Sequence, residues 1–389
     1  MSGSEYQAAL ASQPNNVYED GGPGWGLTHA CCTVGSTCTP TGTCAIGPMQ
    51  AGSWFWNSTA ATLYVWLADG SNPASHEIEA ATRVYGMRMV ADAGEKSDVA
   101  VDGITFERTG GYGIYIYSNA AGGVGLSGIE IRNNTVQQTG TGTVDGGSYY
   151  NGIHFSEAVE LATAPKFSGN TISYSGGHGN GINCQNADEA QIIGNHADHF
   201  NHHGFDMKSS ASVLVRGNVA HDSAEANGIY QEYSANGLIE QNIIYDLSGS
   251  VAGRGSGIQI DVGSTGAQIY NNSIYNVLTG IYLINAATVE NNIVVDALSS
   301  VLEAQNGGSI NYNDWGLAPT IYDYGTAYDF SQWLALGGHS DDLAVDPLWV
   351  NPAAANFALQ TDSPCIDAGT YVGLPYNGAA PDLGAIESP

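Results

Sequence analysis

Between Tyr112 and Ile284 the pattern x-Gly-Ile/Phe-x-x-x returns seven times. It reads YGIYIY from Tyr112, NGIHFS from Asn151, NGINCQ from Asn180, HGFDMK from His203, NGIYQE from Asn227, SGIQID from Ser256 and TGIYLI from Thr279. The first interval is 39 residues and the others run from 23 to 29. A second motif interleaves with it: EIRNNTV, KFSGNTI, QIIGNHA, LVRGNVA, IEQNIIY, IYNNSIY and VENNIVV. Its aligned asparagines are Asn134, Asn170, Asn195, Asn218, Asn242, Asn272 and Asn292. Units this short cannot bury an apolar face alone, so they must stack on their neighbours. With short strands and no helical periodicity, the stack is expected to be an all-β solenoid, a right-handed parallel β-helix with two interleaved strands per coil. The asparagine column is expected to ladder from coil to coil at a turn.

The expected divisions are an N-terminal loop and β-rich lead-in over 1–83, coils over 84–305 and a β-helix end with an irregular cap over 306–389. With 43% hydrophobic residues the chain has material for a core, and its 52 glycines suit many turns.

Side chains alternate along a strand. The Ile or Phe after each Gly is therefore assigned inward, as is the residue two further on: Ile116, Phe155, Cys184, Met207, Ile260 and Leu283, with Gln231 the polar exception. The intervening positions form two columns expected to face solvent. One is Tyr115, His154, Asn183, Asp206, Tyr230, Gln259 and Tyr282; the other is Tyr117, Ser156, Gln185, Lys208, Glu232, Asp261 and Ile284. Loops before these strands add Tyr149, Tyr150, His178, His202, Asp222, Glu225 and Arg254. Ionisable groups clustered on one rigid face of a charge-poor chain point to a binding groove. The plainer reading is a solvated sheet in which Lys208 and Glu232 form an ion pair of little energetic weight.

A net charge of -29 with nine Lys+Arg excludes nucleic acid as a partner and disfavours an anionic membrane surface. Four of the six cysteines crowd into CCTVGSTCTPTGTC, as Cys31, Cys32, Cys38 and Cys44. They are expected to form disulfides in a secreted protein, with Cys184 a reduced core residue. The opening MSGSEYQ is no export signal, so one is expected to be encoded upstream. The run HADHFNHHGFD from His196 is rich in histidine. Strand alternation and turns are expected to scatter those rings, so no metal ligands are assigned.

Three stretches carry a resemblance. GSWFWNSTAATLYVWLADGSNPASHEIEAATR resembles the lead-in of β-helix glycoside hydrolases, matching at Gly52, Trp54, Leu63 and Tyr64, with Ser53 and Asn57 replacing the family's Glu and Asp. The repeats resemble those of pectate and alginate lyases, mannuronan epimerases and β-helix hydrolases. DPLWVNPAAANFALQTDSPCIDAGT resembles the terminal segment of secreted bacterial β-helix proteins. The likeness to β-xylosidase-type hydrolases implies a carbohydrate-active enzyme with Asp206 and Glu232 as its carboxylate pair. The likeness to epimerases keeps Asp206 but puts Lys208 where their His stands. The likeness to chondroitinase-B-like lyases keeps Lys208 but puts Glu232 where their Arg stands.

Glycoside hydrolysis needs one protonated and one ionised carboxyl, available from Asp206, Glu232 and Asp261, with Lys208 and Tyr230 tuning and orienting them. His154, Asn183, Gln185, Gln259, Tyr115, Tyr282, His178 and His202 would bind a poly- or oligosaccharide. Hydrolysis requires no cofactor. Elimination on a uronate would use His154, Lys208 or Tyr230 as base, with Ca²⁺ among the carboxylates. A non-catalytic carbohydrate-binding or adhesion β-helix is the third reading, and the oligomeric state is left open.

Overall fold

The computed structural model describes residues 6–9, 16–19, 28–29, 52–57, 62–67, 69, 71–72, 75–76, 78–91, 96–118, 125–140, 150–157, 164–250 and 253–389. Each central coil contributes three strands, not two. One coil is Gln191–Ile193, His196–Phe200 and His203–Lys208; the next is Leu214–Arg216, Val219–Ala224 and Asn227–Glu232. Each pairs in parallel with its counterpart one coil on. The result is a right-handed parallel β-helix. The first strands of the coils make a nine-stranded sheet. The second and third share a 17-stranded network, joined where Ser273–Leu283 and Ile293–Ala304 run through the corner between them. The only α-helix among the described residues is Phe330–Ala335.

The two-strand expectation fails at the asparagine motif, which is itself two strands around a corner. The residue before each ladder asparagine has a left-handed backbone: φ is +55° at Asn133, +64° at Gly194 and +56° at Gln241. At each of these positions the strand is interrupted, as between Gln191–Ile193 and His196–Phe200, and the chain turns there.

Immediately after that corner the asparagines stack as expected. Each side-chain Nδ2 donates to Oδ1 of the next asparagine at 2.9–3.0 Å, from Asn134 through Asn292 and on to Asn313, one rung beyond the expected end. Asn218 shows the full pattern. Its Nδ2 also donates to the Ile192 carbonyl at 2.8 Å, and its Oδ1 accepts the Asn195 backbone N–H at 2.9 Å. The ladder ends on Asp342. That carboxylate accepts the Asn313 N–H at 2.8 Å and the indole N–H groups of Trp315 and Trp333 at 2.9 and 2.8 Å.

Ile114, Ile153, Ile182, Phe205, Ile229, Ile258 and Ile281 form one fully buried inward stack, in register coil by coil, continued by Leu302 and Ile321. The glycine preceding this stack is required by close approach. A Cβ on Gly181 would lie 2.6 Å from the Gly204 carbonyl oxygen, and one on Gly204 2.7 Å from that of Gly228. Cys184 and Cys365 are buried free thiols; Cys31, Cys32, Cys38 and Cys44 lie outside the described residues. In the lead-in, Trp54 is buried with Val17, Leu63, Val65 and Leu67. At the other end Trp349, Phe357, Cys365 and Leu383 form a small core that packs onto Tyr245, Tyr275 and Val295 of the second sheet.

Asn218→Ala would orphan the Asn195 donors and the Ile192 carbonyl. Its expected cost is on the order of 2–4 kcal/mol, read as a fall in urea midpoint or a faster unfolding rate. Leu298→Ala, at a side chain 73% exposed, should change stability by less than about 0.5 kcal/mol.

Candidate functional site

The third strands of the coils bring the expected columns into register. Tyr115, His154, Asn183, Asp206, Tyr230, Gln259 and Tyr282 follow one another coil by coil. Beside them run Tyr117, Ser156, Gln185, Lys208 and Glu232. Asp261 follows the strand Ser256–Ile260 and is tied in by its N–H, which donates to the Gln231 carbonyl at 2.8 Å.

The first column does not face solvent as the alternation suggested. Asn183, Asp206, Tyr230, Gln259 and Tyr282 are buried. The rungs cover one another, and the residues that open the strands join them. The Asn227 amide, for example, donates to the Gly253 carbonyl at 3.1 Å and to Gln259 Oε1 at 2.8 Å.

Asp206 lies at the centre. Its Oδ2 accepts hydrogen bonds from Asn180 and Asn183, each at 2.8 Å. Its Oδ1 is buried and accepts none from the described residues. Burial raises its pKa to about 6, with Glu232 adding to the rise and Lys208 and the two amides opposing it. The Asn180 oxygen faces His202 Nδ1 at 3.1 Å and accepts the His203 N–H at 3.0 Å, so its amide nitrogen is turned toward Asp206.

Asn180 and His203 were not singled out from sequence. Their signal was the polar residue before each Gly-Ile, occupied by Asn151, Asn180 and Asn227 in three repeats. His203 stacks parallel on Tyr230 at 4.1 Å, and burial holds its pKa well below the imidazole range. His202, which packs edge-on to His178 at 6.0 Å, is lowered to about 4 by burial and by nearby Lys208. His154 is likewise lowered to about 4 by burial. The rings bordering the carboxyl are therefore neutral at pH 7.

Lys208 Nζ stands 3.1 Å from Glu232 Oε2 and 5.5 Å from the Tyr230 ring centre. The Tyr230 hydroxyl donates to Asp261 Oδ2 at 2.6 Å, where Gln259 Nε2 also donates at 2.9 Å. The other Asp261 oxygen accepts the Val262 N–H at 2.6 Å. Burial and this bond to Asp261 raise the Tyr230 pKa far above the phenol range, so Tyr230 keeps its proton. Asp261 and Gln259 are thereby occupied as braces.

At one end of the column Tyr115 stacks on His154 at 5.0 Å and meets Tyr112 at 4.8 Å. At the other, the Tyr282 hydroxyl accepts from Gln305 at 2.6 Å. Tyr149 lies outside the described residues. The histidine run scatters only in part: His199 turns to Tyr174, but the His202 and His203 rings pack 3.8 Å apart and His196 meets His221 of the next coil at 2.6 Å.

Residues 151–316 match the family described as the right handed beta helix region. No curated protein matches the sequence. Among solved structures, pectate lyase Pel9A is similar at 16% identity, over 71% of this chain and 73% of its own, with a TM-score of 0.33. That level of likeness bears on no residue's chemistry.

A carboxyl whose pKa rises on folding favours the native state at low pH. Its contribution is complete below the unfolded value of 3.8 and is lost as pH climbs through about 6. Asp206→Asn keeps an oxygen for both amide donors and removes the charge. The variant should match the parent in stability at pH 4 and exceed it at pH 7.5 by up to roughly 3 kcal/mol, measured as the difference between their melting curves at the two pH values.

Proposed function

We propose that the chain is a carbohydrate-active enzyme that hydrolyses a glycosidic bond in a poly- or oligosaccharide, with Asp206 as general acid and Glu232 as general base. The reading is carried by one observation: a buried carboxyl raised to about 6 stands on the same face as a second carboxylate held by an ammonium. A glycosidase needs this asymmetry, one carboxyl that keeps its proton near neutrality and one that has lost it.

Asp206 is opposite Tyr230 and Glu232 opposite Lys208, so the two acids are diagonal neighbours on adjacent coils. Strand geometry sets such a diagonal at about 8 Å. Carboxyl groups carried on β-carbons so spaced can reach the roughly 6.5–9.5 Å separation that leaves room for a water and inverts the anomeric centre. Asp261 is the poorer partner for Glu232, since its oxygens are engaged by Tyr230, Gln259 and Val262.

In this account the leaving oxygen takes the Asp206 proton while Glu232 removes a proton from the attacking water. A sugar reaches Asp206 when its neighbours move aside. The partly exposed Lys208, the end of a flexible side chain, is the neighbour able to do so, which frees Glu232 to act as base. The tyrosines around Tyr115 offer a stacking surface for sugar rings. A polymeric substrate does not enter cells, so the proposed place of action is extracellular.

A panel of neutral and acidic polysaccharides tests the reaction class. Reducing ends are expected without the near-ultraviolet absorbance of an unsaturated uronate. Asp206→Asn and Glu232→Gln should each lower kcat by about 10²–10⁴-fold, and activity should fall as pH rises through about 6. His154→Ala should mainly raise KM. Uronate absorbance, with turnover lost in Lys208→Ala and kept in Glu232→Gln, would replace hydrolysis by elimination.

A further inference from the structure

On the outer face of the second sheet, His196–Phe200 and Val219–Ala224 pair in parallel with Asp198 opposite His221. His196 lies one same-face step before Asp198, and its ring reaches diagonally to the neighbouring coil. The Nε2 atoms of His196 and His221 meet at 2.6 Å, with the rings 76° apart. Asp198 Oδ2 is 3.9 Å from His196 Nε2. One ligand atom from each of the three residues lies within 4.8 Å of the others.

We propose that His196, Asp198 and His221 form a Zn²⁺ site that clamps two adjacent coils. Ring nitrogens bound at 2.0–2.1 Å in a tetrahedron stand roughly 3.3 Å apart. Loading the ion therefore asks the two rings to part by less than about 1 Å. His196, with 44% of its side chain exposed, has the freedom to do so.

The supporting groups are already in place. Asp222 Oδ2 is 2.8 Å from His221 Nδ1. A carboxylate there fixes the proton on Nδ1 and leaves the Nε2 lone pair for a metal. The His221 ring is held by parallel stacking on Tyr245 at 4.6 Å. Asp198 accepts from Ser173 Oγ at 2.7 Å on one oxygen and lies 2.6 Å from His199 Nδ1 on the other; His199 stacks on Tyr174 at 4.3 Å.

Two imidazoles and one carboxylate suit Zn²⁺ and not Ca²⁺ or Mg²⁺, which prefer oxygen-only shells. Three protein ligands leave a fourth position for water. The clamp also borders the C-terminal segment, because Tyr245, which stacks on His221, meets Phe357 on its other side at 5.4 Å. The ion would therefore fasten the coil beside the edge of that cover. It stands on the second strands of its coils, Asp206 on a third strand, and it takes no part in the proposed hydrolysis.

Calorimetric titration of the metal-stripped full chain with Zn²⁺ tests the site, with circular dichroism confirming that each variant is folded. Wild type should bind one equivalent that excess Ca²⁺ does not displace. His196→Ala and the shape-preserving His221→Gln should each weaken binding at least 100-fold. Asp222→Asn, which removes only the orienting carboxylate, should weaken it about 10-fold. Co²⁺ at the same site should give visible ligand-field bands without an intense thiolate charge-transfer band. Absence of Zn²⁺ binding to wild type, binding unchanged in His221→Gln, or a dominant thiolate band would overturn the proposal.

Discussion

The architecture depends on one buried side-chain amide per coil. Each ladder asparagine sits just past a left-handed residue. It satisfies the next asparagine, a backbone carbonyl one coil away and the N–H of a neighbouring rung. An amide donates and accepts at once, so the column propagates without a charge and without an unsatisfied atom. Because every coil turns at the same point, the alternation of the next strands stays in phase. Phe205 and Ile229 remain inside and Asp206 and Tyr230 outside, although the loops between them differ in length. Asp342 closes the ladder with a carboxylate, the one group that accepts from the last asparagine and two indoles together.

The inward stack, the ladder and the order of both outward columns were legible because each rests on a local period. The third strand was hidden because EIRNNTV and its relatives read as one short strand, and only the φ of the residue before the asparagine divides them. Burial of the outward column was hidden for another reason. Cover over Asp206 comes from the Asn180 and Asn183 amides, with His202 and His203 against Asn180; Asn180 and His203 hold the repeating position before Gly, but only the close coil spacing turns these groups onto the carboxyl. A sequence pattern shows which face a side chain takes, but not how deep that face lies.

That depth gives the site its character. On an open sheet Asp206 would be an ordinary carboxylate. Beneath two amides, with one oxygen unmatched, it becomes a group that holds a proton into the neutral range. Lys208 and Glu232 remain paired and partly wet beside it. The His196–His221 contact arises from the same stacking. The two rings come from different strand positions and meet only on the diagonal between coils, so no motif announces them.

The most direct test is the titration of Asp206 itself, by infrared difference spectroscopy of wild type against Asp206→Asn across pH. The expected result is a protonated-carboxyl carbonyl band present in wild type, absent from the variant and lost with a midpoint near 6. A midpoint near the unperturbed 3.8 would mean that Asp206 is an ordinary carboxylate, and the account of this face as an acid–base site would fall.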